Sequence, residues 1–181
     1  MIDGKKRVVY ISVLIAFASA LQIGESLFPH PLPWLRLGLA NMITLASLLI
    51  FGYAVALQVA MLRTILSSFL LGTFFTPAFF LSFSGSLVSA LVMGGIYSLG
   101  KMGRENPFPR QFLGFSVIGL SILGAVSHNI TQLFIAYFFL IRHKGVFLIL
   151  PFLIAAAVIT GFITGYGANY LVSQMRKVIP E

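Results

Sequence analysis

The chain reads as long apolar runs separated by short breaks, with little of the polar–apolar alternation that marks exposed strands. An α-helix crosses the hydrocarbon core of a bilayer with about 20 consecutive, mostly apolar residues. Six such spans are predicted, at about 8–27, 35–51, 53–75, 78–99, 112–140 and 145–171. The breaks have legible causes. Pro29, Pro31 and Pro33 alternate with His30 and Leu32. Each proline fixes its own φ and pushes the residue before it away from helix, so the first link is extended. Phe51-Gly52-Tyr53 marks the next reversal, although spans two and three also read as one bent helix. Thr76-Pro77 opens span four. Span five is longer than a membrane requires, and Gly114, Gly119 and Gly124 are candidate places for a bend. Lys5, Lys6 and Arg7 precede span one as they would a signal peptide. That run is too long for a signal core and ends in a poor cleavage site, so it is expected to be retained as a helix.

Composition turns this pattern into a class. Of 181 residues, 59% are hydrophobic and 9% charged, against about 25% charged in a typical soluble domain. So few charges do not cover a soluble globule. The expectation is a single integral membrane domain over residues 1–181, all-α and polytopic, with six transmembrane helices. The formal net charge of +8 would suggest nucleic acid on a soluble protein. Here it reports topology and contact with anionic headgroups in the lipid bilayer, and no nucleic-acid partner is expected. With six spans, both termini and the polar loop at 100–111 share one side. That side holds Lys5, Lys6, Arg7, Lys101, Arg104, Arg110, Arg176 and Lys177; the other holds Arg142 and Lys144, plus Arg36 if it reaches the interface. The positive-inside bias then predicts a multi-pass plasma-membrane protein with both termini cytoplasmic.

Ionisable groups inside spans are costly and so informative. Glu25 lies late in span one, Arg36 opens span two, and Arg63 falls near mid-membrane in span three. His128, Asn129 and Gln132 occupy the second half of span five. With Asn41, all but Arg63 belong to the outer half of the bundle, and Arg63 lies beneath them. One reading is an outward-facing pocket for a small solute. Glu25 and His128 would hydrogen-bond a cationic or neutral head, and Arg36 or Arg63 a carboxylate or phosphate. The other reading is a Glu25–Arg36 or Glu25–Arg63 ion pair, with the amides fastening helices together. His128 suits packing nearly as well as ligand contact.

Small residues form two stripes at four-residue spacing: Ser12, Ala16, Ala20 and Gly24 in span one, and Ala157, Gly161 and Gly165 in span six. Such stripes let helices approach closely in lipid. Span six suits packing within the bundle; span one would serve an internal neighbour or an external partner helix equally well.

The chemistry of catalysis is largely missing. Cysteine is absent, and Asp3 is the only aspartate. No Ser/His/Asp set, phosphate loop or paired carboxylates are present, and the three histidines lack metal-site spacing. No catalytic residue, metal or cofactor is expected, and any ATP-driven step would need ATPases on other chains.

The stretch Pro33-Trp34-Leu35-Arg36-Leu37-Gly38-Leu39-Ala40-Asn41 resembles the Gx transporter family, also catalogued as heptaprenyl diphosphate synthase component I. Arg63, Ser82-Phe83-Ser84-Gly85-Ser86-Leu87 and Gly124-Ala125-Val126-Ser127-His128-Asn129-Ile130-Thr131-Gln132 extend the resemblance along nearly the whole chain. Arg36 stands where many members carry lysine. The family is in turn similar to the substrate-binding S-components of energy-coupling factor (ECF) transporters. That likeness implies an ECF S-component-like bundle, with a substrate site in its outer half. It also implies docking of an Ala-x-x-x-Ala face, here Ala16 and Ala20, on a transmembrane coupling subunit carried with ATPases.

The resulting expectation is a non-enzymatic solute-uptake subunit. It binds between Glu25, Arg36, Asn41, Arg63, His128, Asn129 and Gln132, and is gated by the loop of Pro29, His30, Pro31, Pro33 and Trp34. It docks through Ser12, Ala16, Ala20 and Gly24. A membrane partner of an isoprenoid synthase and a small ion-coupled carrier are the alternatives. Prenyl diphosphate synthases hold magnesium diphosphate through aspartate-rich motifs, which a chain with one tail aspartate cannot supply.

Overall fold

The computed structural model describes residues 4–27, 38–101 and 116–178, and everything regular in them is helical. Six α-helices follow in order: α1 (Gly4–Leu27), α2 (Leu39–Phe51), α3 (Tyr53–Leu70), α4 (Pro77–Lys101), α5 (Val117–Ala136) and α6 (Leu150–Val178). Five of these, counting α5 and α6 with the turns that adjoin them, are long and apolar enough to cross a membrane. α2 has only 13 residues, about 20 Å at 1.5 Å per residue, and is shorter than the predicted span. The chain is an all-α polytopic membrane protein.

Local chemistry sets the boundaries. Gly52 alone separates α2 from α3, with φ 91° and ψ −178°, a conformation a side chain at that position would resist. Its N–H closes α2 on the Leu48 carbonyl, and its own carbonyl accepts the Ala56 N–H that begins α3. Ile43 of α2 shares a buried cluster with Val55 and Val59 of α3, so the two helices form a hairpin and not one bent rod. α3 ends at Leu70, five residues before the predicted end, in a turn carrying positive φ at Gly72 and Phe75. Pro77 takes the first position of α4, where its missing N–H costs least, and the Thr76 carbonyl accepts the N–H groups of Phe79 and Phe80.

The expected bend in span five is elsewhere. α5 runs continuously through Gly119 and Gly124, while Gly114 lies outside the described residues. Instead the helix widens into a π turn at Tyr137–Ile141, closed by Arg142 N–H on the Tyr137 carbonyl. A 3-10 turn over Lys144–Ile149 then leads into α6.

Side-chain contacts fix the relative directions. Leu14 and Ala18 of α1 cluster with Val55 and Val59 of α3, and Ser19 and Gln22 further along reach Arg63, so these two helices run parallel. Gly85 and Gly124 place α4 antiparallel to α5, and Gly161 and Gly165 place α5 antiparallel to α6. α1 therefore begins, and α6 ends, at the same end of the bundle. The half near that end is filled by apolar clusters, one around Leu45, Leu48, Met93 and Leu120, another around Leu14, Ala18, Val55 and Val59. The buried polar side chains gather in the other half.

The two small-residue stripes have opposite fates. A Cβ at Gly161 would stand 2.7 Å from Ile122 Cα, and one at Gly165 2.8 Å from Ile118 Cα, so α5 and α6 meet backbone to backbone. On α1, Ser12, Ala16 and Ala20 are exposed, and a Cβ at Gly24 would touch nothing within 4 Å.

Candidate functional site

The site is assembled from polar groups that each helix carries into its non-terminal half. Arg63, 3% exposed, extends from α3 between α1 and α4. Its Nη1 donates to Gln22 Oε1 at 2.8 Å and its Nη2 to Ser86 Oγ at 3.1 Å. The Ser86 hydroxyl also faces Thr64 Oγ1 at 3.4 Å. Hydrogen bonds from a guanidinium are about twice as strong as neutral ones, so this group fastens three helices while keeping a cation among them.

Glu25, 4% exposed, does something its position in the sequence did not suggest. α2 starts behind Gly38, which has φ 80° and no side chain to cap the helix. The missing acceptor comes from α1: Glu25 Oε1 receives the Leu39 N–H at 2.5 Å. A carboxylate at a helix N-terminus is also favoured by the helix dipole. Glu25 thus caps α2 from across the bundle and holds the end of α1 to the start of α2.

Asn41, one turn into α2, donates from Nδ2 to Ser89 Oγ of α4 at 3.2 Å. Its Oδ1 is buried and has no hydrogen-bond partner among the described residues. On α5, the His128 ring lies over Gly85 of α4, so closely that a Cβ there would come within 2.9 Å of Cε1. Asn129 donates from Nδ2 to the Leu153 carbonyl of α6 at 3.1 Å. The Ser121 and Thr164 hydroxyls are 2.9 Å apart and join α5 to α6 lower down.

These groups surround a cavity of about 540 Å³, counting the open space at its mouth. Of the residues singled out in the sequence, Glu25, Asn41, Arg63, His128 and Asn129 line it. Gln132 does not. It is 2% exposed and packs one turn further along α5, with its Cγ against Gly85. Arg36 and the loop residues Pro29, His30, Pro31, Pro33 and Trp34 lie outside the described residues. Sequence reasoning passed over Gln22, Ser82, Ser86, Thr160 and Thr164, which also line the cavity. Gln22 carried a signal, since it stands three residues before Glu25 and so on the same face of α1. The hydroxyls carried little, because Ser and Thr bond their own helix and are common throughout the spans. Among the described residues there is no group of three His, Asp or Glu placed to hold a metal ion.

Fold and site define an all-α polytopic membrane protein with a polar cavity enclosed by an apolar bundle. The chain belongs to the heptaprenyl diphosphate synthase component I family, whose model matches residues 14–171. No curated protein and no solved structure matches it.

Proposed function

We propose that the chain is a solute-binding membrane subunit of the ECF S-component kind. It captures a small molecule from outside, and its transport is energised by a coupling subunit and ATPases on other chains. The observation that carries this reading is the cavity. Opposite charges and several amides and hydroxyls converge on one space in the half of the bundle away from the termini. Intramembrane ionisable groups of this kind commonly mark substrate paths. The α1 face of exposed Ser12, Ala16 and Ala20 with half-buried Gly24 supports docking, because small side chains let another helix approach in lipid. The excess of basic residues at the end that holds the termini supports a cytoplasmic placement of that end in the plasma membrane. The chain itself is proposed to have no enzymatic activity.

The family's description favours a second reading, a non-catalytic membrane partner of a prenyl diphosphate synthase. Affinity purification from native membranes separates the two. Co-purification of ATPases with a membrane coupling subunit supports uptake. Recovery of a prenyltransferase without ATPases supports the synthase partner and overturns uptake. Flux into proteoliposomes holding this chain alone would instead indicate an autonomous carrier.

A further inference from the structure

The wall of the cavity differs from the rest of the molecule. Its described lining residues are polar or charged, or else Gly or Ala; none is Leu, Ile, Val, Met, Phe, Tyr or Trp. This occurs in a chain that is 59% hydrophobic. Small-molecule pockets are ordinarily lined mostly by apolar and aromatic side chains, with a few polar groups for orientation. Here the proportion is reversed. An isoprenoid chain or a fused ring would meet no large aliphatic or aromatic side chain on the described wall, only the small carbon groups of Gly, Ala, Ser, Thr and the polar residues. It would also displace water from polar groups without replacing the lost hydrogen bonds.

Two further observations narrow the occupant. Asn41 lines the cavity and is 9% exposed, and its Oδ1 is buried without a hydrogen-bond partner among the described residues. A buried acceptor left in this state calls for a donor from a bound molecule or water. The described wall also holds one carboxylate, Glu25, and one guanidinium, Arg63. Their formal charges cancel, so the described wall offers a multiply charged anion such as diphosphate no net compensation.

Building on the solute-binding reading above, we infer that the cavity takes a compact solute of zero net charge with several hydrogen-bonding groups and no large apolar part. One of its N–H or O–H groups donates to Asn41 Oδ1. Amino-acid zwitterions and small polyols or sugars share this chemistry, and separate arms of one experiment distinguish them.

Thermal unfolding of the full chain in lipid nanodiscs would be followed with five sets of probes. These are the amino acids with uncharged side chains, polyols and sugars of three to six carbons, inorganic pyrophosphate, farnesyl diphosphate, and riboflavin as a fused-ring probe. The expected result is a saturable rise in melting temperature of a few degrees with a member of the first or second set, since ligand binding stabilises the native state. Asn41→Leu should weaken its apparent affinity about tenfold, as expected for one lost buried hydrogen bond. Asn41→Asp, which keeps the acceptor, should weaken it less. If Asn41→Leu fails to fold, Ser82→Ala tests the same wall with a small change and should lower affinity about threefold. Stabilisation only by pyrophosphate, farnesyl diphosphate or riboflavin overturns the inferred class and leaves solute binding standing. A neutral hydrophilic probe whose affinity is indifferent to both wall positions also overturns it. If no probe of any set binds, the inference and the solute-binding reading both fail.

Discussion

At the scale of single residues, Glu25 shows how much of a role depends on partners far away in sequence. Its scarcity in an apolar span drew attention to it, and it does line the cavity. Its bond to Leu39 N–H joins positions 14 residues apart, across the proline-rich segment, and no local pattern encodes that. A weak signal lay in Gly38, because a helix starting behind glycine has no capping side chain of its own. The arrangement makes a specific prediction. Glu25→Ala leaves a part-buried N–H without its acceptor and should destabilise the protein by about 1–2 kcal/mol. Glu25→Gln keeps an acceptor oxygen and loses only the interaction of charge with the helix end, about 0.3–1 kcal/mol. Melting of both variants in one detergent checks the order. Equal losses would mean that the charge, and not the capping bond, carries the effect. Gly85 is the complementary case. Its part in making room for His128 depends on the register between α4 and α5, which sequence periodicity does not specify.

At the scale of helices, the same four-residue spacing has two outcomes, and only packing distinguishes them. The α6 stripe is consumed inside the bundle. Gly161→Ala would push a methyl against the Ile122 backbone, which has no flexible end to move aside. Overpacking of this kind typically costs about 1–3 kcal/mol. Gly24→Ala meets open space on α1 and, by helix propensity alone, should be neutral or stabilise by up to about 1 kcal/mol. Opposite signs in parallel melts are the expected result. A bulky residue on the α1 face tests docking: Ala16→Trp should leave melting within about 0.5 kcal/mol of the parent, as surface changes usually do. It should still abolish co-purification of any coupling subunit, and intact co-purification would remove that face from the docking proposal. The existence and order of the helices were legible because apolar runs of this length have few alternatives. Their ends were less so. α3 stops early at a turn set by Gly72 and Phe75, and α5 changes to π geometry at Tyr137, where no Gly or Pro signals it.

At the scale of the whole molecule, the polar cavity and the basic excess lie toward opposite ends of one bundle. α1 begins with Lys5, Lys6 and Arg7, and α6 ends with Arg176 and Lys177, all exposed at the same end. Arg142 and Lys144 are exposed at the other end, beyond the π turn. The outward orientation proposed above thus rests, through the positive-inside bias, on residues that take no part in forming the cavity. The uptake reading depends on that link, and the absence of cysteine makes it directly testable. Single cysteines at Lys5, Lys144 and Lys177 can be introduced without first removing native thiols. On intact cells, a membrane-impermeant maleimide should label Lys144→Cys and spare Lys5→Cys and Lys177→Cys, which should react only after the membrane is opened. Because the bundle places the latter two at one end, they must behave alike. If instead they label from outside while Lys144→Cys is protected, the cavity half faces the cytoplasm and capture from outside fails, while the fold and the chemistry of the cavity wall are untouched.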